Sequence, residues 1–407
     1  MTSHYRKAIM VSEQTRRNII RLATAILIGL VGPAGAWRVG GLNGLLVYFA
    51  LHMTSKYSVA EFSSSSGGKR ALNCYRISPA LLLLAGLTPL IPDQILPAWD
   101  VKMVLVPLLL GGFEGAFWST FHDIRIAVGR GVDEFQASEV IATIVAAGMV
   151  LVIGENAGLL GGVLACVALL IPFGPETNKA VAESIIGSST SELDSVNALK
   201  AGNFTGSFGM MQISTGHSMK LVSLPVGGID LLTQVVAVST SLGWLFERWN
   251  DNRIKKKYEG DNLTKDELKL VAAPENWIIG NYGSLLGIAL MIAGIGYVSE
   301  DMKVFLAGYT VVVGTTYGIL KSVDIKIADF YLRGEGGTIG LRERLKFRAM
   351  MKLVFVFSIV WLALNEIYQE PTVDWILYSA LIWAALCAMA NLHNIKDVDS
   401  LLAQSPE

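Results

Sequence analysis

One carboxylate interrupts a long apolar run. Glu114 is preceded by "LVPLLLGGF" and followed by "GAFW". An ionisable group at membrane depth is costly, so it marks a functional candidate by default. Such a group could carry a proton, or it could pair with a base to hold two helices together. His217 is a second proton candidate, because histidine is the side chain that changes charge near neutral pH. It lies in "MMQISTGHSMKLVSLPVGG", with Gln212 beside it and Gly209, Gly216 and Pro225 around it. That mixture predicts a bent helix of the kind that surrounds a central site. The alternative for His217 and Lys220 is a place near the outer interface. Asn43, Tyr48 and His52 recur every four or five residues and are candidates to line a cavity, as are Gln234, Asn281 and Tyr282. Asn365 and Glu366 are expected at an outer helix end, in solvent.

Other chemistries find little support. Acids and histidines are scattered, with His122 and Asp123 the nearest thing to a cluster. No Gly-x4-Gly-Lys-Ser/Thr phosphate loop occurs, which argues against direct ATP hydrolysis. Cys74, Cys166 and Cys387 are too far apart for a disulfide framework or a zinc site. No catalytic residues, metal or cofactor are expected. The net charge of −1 gives no reason to expect a nucleic-acid partner.

The elements that must position these residues are membrane helices. The chain is 52% hydrophobic and 16% charged, with a mean hydropathy of +0.48. A soluble chain would be about a quarter charged. The apolar residues come in blocks of the length a span needs. They predict twelve helices, at 19–36, 42–55, 77–93, 101–121, 137–154, 158–173, 204–226, 228–246, 276–298, 303–322, 347–366 and 373–392. If both termini are cytoplasmic, 29 of the 33 lysines and arginines fall on the cytoplasmic side. The other four, Arg38, Lys102, Lys220 and Lys303, fall outside, and that asymmetry is the positive-inside signature. Residues 1–19 are polar and basic with no small-residue cleavage site after the first apolar run, so no cleaved leader is expected.

The two halves repeat. "KMVLVPLLLGGFEGAFWSTFHDIRIA" (102–127) lies 201 positions before "KVFLAGYTVVVGTTYGILKSVDIKIA" (303–328), and both end in Asp-Ile-basic-Ile-Ala, at Asp123 and Asp324. Between them, 174–202 reads as a cytoplasmic linker. A dense charged knot, "GWLFERWNDNRIKKK" (243–257), closes the eighth helix, and its counterpart after the second is "AEFSSSSGGKR" (60–70).

Taken together, these two stretches resemble the helix 2–3 turn of the major facilitator superfamily, Gly-x3-acid-basic-x-Gly-x-basic-basic. The second copy keeps Gly243, Glu247, Arg248 and Arg253, with Asn250 and Asn252 at the second glycine and first basic positions. The first copy keeps Gly67, Lys69 and Arg70, with Ala60, Ser64 and Ser65 elsewhere. "TIGLRERLKFRAMMKLVF" (338–355) and "FWSTFHDIRI" (117–126) resemble a poorly characterised bacterial branch of the same superfamily.

The resemblance implies an all-α integral membrane fold of twelve helices in two pseudo-symmetric six-helix bundles, at 1–173 and 204–407, joined by 174–203. It implies a monomeric secondary transporter of the cytoplasmic membrane, moving a small solute by alternating access, driven by a proton or by the gradient of the substrate itself. Asp123, Asp324 and the motif residues would form a cytoplasmic gate, with Arg344 or Arg348 as partners for Glu247 and Arg248. Lys255, Lys256 and Lys257 would touch anionic headgroups of membrane lipids. Two other readings stay open: a non-transporting membrane scaffold of the same fold, which the eroded first copy suggests, and a membrane-embedded enzyme acting on lipid.

Overall fold

The computed structural model describes residues 2–64, 68–92, 94–96, 99–127, 132–157, 160–161, 163–164, 196–260, 263, 267–268, 271–296, 302–333, 339–368 and 373–394. Among the described residues, ten helices carry the architecture. They are α1 (Thr2–Ser64), α2 (Gly68–Leu87), α3 (Trp99–Ala127), α4 (Val132–Ile153), α5 (Val196–Lys257), α6 (Ala273–Ile295), α7 (Lys303–Thr315), α8 (Lys321–Arg333), α9 (Ile339–Tyr368) and α10 (Val373–His393). Among the described residues there are no strands.

Two of these helices are folded back on themselves. In an unbroken helix Gly32 and Tyr48 would stand about 24 Å apart. Instead a Cβ on Gly32 would lie 2.6 Å from the Tyr48 hydroxyl. The reversal is at Gly41, at φ 52° and ψ −136°, which is backbone space open to glycine. In α5 the Phe204 ring lies 5.5 Å from that of Trp277, while Arg253 donates to Asn276 at 2.7 Å. Both ends of α5 thus meet the start of α6, and the reversal is at Gly228, at φ 61° and ψ −152°. Gly41 and Gly228 follow the first and seventh expected helices, so the repeat extends to backbone conformation.

Among the described residues, eight helices are long and apolar enough to cross a membrane, and two of the eight segments, Ile19–Ser63 and Leu199–Lys257, contain these reversals. Large apolar side chains face outward, as with Val152 at 85% exposed and Ile367 at 69%, while Asp324, Asn281 and Arg342 are buried. That inversion suits a lipid solvent, where polar groups must be satisfied inside the protein. The chain is a multi-pass helical membrane protein.

Helices run further than the apolar blocks suggest. The expected 42–55 continues to Ser64, 347–366 begins at Ile339, and 303–322 continues through a π-helical turn, Thr316–Leu320, into α8. These extensions are charged, and hydropathy does not see them. The linker 174–203 lies outside the described residues except for its last part in α5, and the helix at 158–173 lies almost wholly outside them.

Candidate functional site

The site begins where α3 crosses the second arm of α1. Gly111 and Gly115 are one turn apart, and a Cβ on them would stand 2.2 Å from the His52 carbonyl oxygen and 2.3 Å from that of Lys56. Small residues at this spacing let two backbones approach closely in lipid. The crossing carries Glu114 onto the α1 face that bears Tyr48, His52 and Lys56. One Glu114 oxygen forms an ion pair with Lys56 Nζ, and the other lies 3.3 Å from His52 Nε2. The His52 contact is electrostatic rather than an aligned hydrogen bond, since Nε2 has no hydrogen-bond partner of good geometry. Glu114 and Lys56 are 18% and 11% exposed, so their attraction acts with little water between them. Lys56 also lies 4.6 Å over the Phe347 ring of α9.

From this pair a line of rings leads to a cavity. Tyr48 and His52 stack with centroids 5.9 Å apart and planes 12° apart. On the other side of the α1 arm, Phe49 stacks on His217 at 3.7 Å, with Lys220 5.7 Å above Phe49. Tyr48 lines a cavity of about 560 Å³ whose walls include Val106 and Leu224, with Arg38, Lys102 and Asp230 at the end that carries Gly41 and Gly228. Arg38 and Asp230 are exposed, so the cavity reaches the surface at this hairpin end. The order Tyr48, His52, Glu114, Lys56 therefore joins an open cavity to a half-buried carboxylate.

At the hairpin end the halves are bridged by an amide pair, in which Asn365 donates to Asn43. The opposite end holds charged pairs between the halves. Nε and Nη2 of Arg344 donate to the two carboxylate oxygens of Glu61, and Lys321 donates to Glu139 at 2.8 Å. Beside them, Arg342 Nε donates to Asp324 at 2.9 Å, Thr205 donates to the other Asp324 oxygen at 2.8 Å, and Glu343 pairs with Arg342 and with Lys346. Asp324, Arg342 and Glu343 are almost fully buried, and each group is matched by opposite charge. A smaller cavity of about 210 Å³ lies at this level between Glu139, Glu247, Trp244 and Tyr317.

The expected site residues divide accordingly. Glu114, His217, Tyr48 and His52 converge. Asn43 is exposed and pairs with Asn365, so Asn365 is not left to solvent. Gln212 is half-buried on α5, off the cavity wall. Gln234 and Tyr282 are exposed, the latter by 61%, and point away from the cavity. Asn281 is buried but donates to the Trp277 carbonyl and accepts from Asn391, so it joins α6 to α10. Lys220 sits within α5 above Phe49, eight residues before the reversal, and Lys102 is buried at the hairpin end.

The gate residues are partly regrouped. At Gly243 the helices come close, since a Cβ on Gly318 would lie 2.8 Å from the Gly243 carbonyl oxygen. Arg344 pairs with Glu61 rather than Glu247, and Arg248 stacks at 4.3 Å on Trp244 of its own helix. Arg253 binds Glu275, Asn250 and Asn276, tying the end of α5 to α6. Arg348 lines a lateral groove. Arg70 is exposed, over Phe62 at 5.1 Å. Gly67 and the side chains of Lys69 and Asp123 lie outside the described residues. Lys56, Glu61, Glu139, Lys321 and Arg342 were missed. Lys56 follows His52 by four residues on the same helical face, which was a usable signal.

No protein-family model and no curated protein matches this chain. Solved structures do. A POT family transporter in complex with 5-aminolevulinic acid is 11% identical, with a TM-score of 0.61 over 95% of this chain and 96% of its own. A POT peptide transporter in complex with sulfate is 13% identical, with a TM-score of 0.57 over 96% and 95%. A bacterial homologue of the iron transporter ferroportin, in its outward-facing state, is 11% identical, with a TM-score of 0.54 over 94% and 98%. These are proteins of the major facilitator fold, and at such identities the likeness is one of fold. Along nearly its whole length the chain thus has the fold of membrane transporters.

Proposed function

We propose that this protein is a secondary active transporter of a small solute, working by alternating access between bundles 1–173 and 204–407 in a cell membrane, with both termini cytoplasmic. The observation that carries the reading is an asymmetry between the two ends. A cavity of about 560 Å³ reaches the surface at the hairpin end and stops at Tyr48, while Glu61–Arg344 and Glu139–Lys321 hold the halves together at the other. That is the arrangement expected of a transporter open to one side. The pairs are few and charged, so they can break and reform without unfolding either half. The basic loops argue that they lie on the cytoplasmic side.

Coupling would run through Glu114. Its carboxylate lies one ring beyond the cavity floor, paired with Lys56. A proton arriving by way of His52 would neutralise Glu114 and release Lys56, which also touches Phe347 in the other half. Protonation would therefore free a side chain that reaches the other half. The solved neighbours carry or bind small solutes, which supports the class and leaves this chain's own solute to experiment. The test is reconstitution into vesicles with an imposed pH gradient, offering 5-aminolevulinic acid, a short peptide and an iron salt as probes. Accumulation of one probe, lost when the gradient is collapsed, is expected. A protein that binds none and moves no proton is not this transporter.

A further inference from the structure

A third cavity, of about 790 Å³, lies on the outer face between α5, α9 and α10. Its long wall is one stripe of α9, from Leu345 to Trp361. At 1.5 Å per residue that stripe is roughly 24 Å long, most of the thickness of the hydrocarbon layer. The walls are largely apolar, with the neutral polar side chains of Asn203 and Ser379, and they carry two cations, Arg348 and Lys352, which sit one turn apart toward the Arg344 end. No carboxylate lines the groove among the described residues. Lys352 is exposed, and beyond it Phe355, Val356 and Ile359 are exposed by 43%, 60% and 47%, as side chains facing lipid are. On its other side Arg348 is within electrostatic reach of Tyr57 on α1.

Cations at the edge of hydrocarbon need an anion or a route to water. The groove supplies neither from its own walls, and it continues from the cations into an apolar channel. A molecule that matches both features has one negative headgroup and a long apolar tail. The geometry points to a seat for one anionic glycerophospholipid of the surrounding bilayer. Its phosphate lies between Arg348 and Lys352, and an acyl chain runs along Leu353 and Phe357 toward Trp361 and Trp383. The headgroup then sits one helical turn from Arg344, where the two halves are held together, so the lipid is placed to bias that contact. The seat itself does not depend on the transport reading.

The test uses the full chain in phosphatidylcholine vesicles. Brominated acyl chains quench nearby tryptophans, and the groove's share is the difference between wild type and Trp361→Phe/Trp383→Phe. At equal content, brominated phosphatidylglycerol is expected to occupy the groove about fivefold better than brominated phosphatidylcholine, the effect of one well-placed cation. Lys352→Gln should bring the two to near parity, and Lys352→Arg should keep the preference. Inorganic phosphate should not displace the lipid. Equal quenching by both lipids in wild type would overturn the proposal. So would displacement by inorganic phosphate, which makes the cations a free-anion site. So would disulfide-linked dimers through Val356→Cys, which give this face to a second copy.

Discussion

His52 Nε2 lies 3.3 Å from one oxygen of Glu114 while Lys56 holds the other, so a single carboxylate is shared by two bases one turn apart on α1. A lone carboxylate in a span would be a simple proton carrier. One held by two bases is at once a proton acceptor and the tie between α1 and α3. Glu114→Gln should therefore be both uncoupled and less stable. Stranding Lys56 costs about 3 kcal/mol, the lower end for a broken buried pair, because some water reaches this one. Glu114→Gln/Lys56→Met should recover most of that stability without recovering transport. Thermal melting of the four proteins in a double-mutant cycle measures the coupling, and additive losses would remove the pair from the account.

The buried pair Asp324–Arg342 is a different case. Asp324 accepts from Thr205 and from two nitrogens of Arg342, all out of water. Asp324→Asn should cost about 3–5 kcal/mol and lower Tm by several degrees. Thr205→Ala, which removes one neutral donor, should cost about 1 kcal/mol. Equal melting temperatures for Asp324→Asn and wild type would show that the cluster is not closed as described.

Much of this was readable from the amino-acid sequence, for a physical reason. Glu114 announced itself because a charge in an apolar run has few explanations. The reversal at Gly41 lies in the gap between two apolar blocks, and that at Gly228 at the boundary between two others. What stayed hidden was at the charged helix ends. Hydropathy stops at residue 55, which puts Lys56 in a loop; "TIGLRERLKF" reads as the approach to a helix, although α9 already begins at Ile339 and carries Arg342 and Arg344. Tyr282 and Gln234 failed for another reason: one chain's periodicity does not fix which way a membrane helix is rotated, since its lipid and protein faces are both apolar.

The hairpin glycines give a local test. An alanine at Gly41 must hold φ near 52° with ψ near −136°, a conformation that costs a residue with a Cβ about 1–3 kcal/mol. Gly41→Ala and Gly228→Ala should each lower Tm, whereas Gly40→Ala, with nothing within 4 Å of its Cβ, should be close to neutral. If Gly40→Ala and Gly41→Ala melt alike, the backbone reversal is elsewhere.

Orientation can be checked by labelling. Single cysteines at Thr190, Gly260 and Gly337, all in stretches assigned to the cytoplasm by their basic content, should resist an impermeant thiol reagent applied to intact cells and react after lysis. Reaction at any of them from outside would break the twelve-helix topology.

The most direct measurement is of the two ends at once. Spin labels at Val39 and Val226 report the hairpin end, and labels at Phe62 and Lys256 report the opposite end; all four side chains are exposed. Electron–electron distance measurements on wild type and on Glu61→Ala/Arg344→Ala, in vesicles, compare the same molecule with and without the charged tie. The account predicts reciprocal change: the Phe62–Lys256 distribution gains a longer component while Val39–Val226 gains a shorter one. Distributions that stay unchanged at both ends would contradict alternating access and leave a static scaffold.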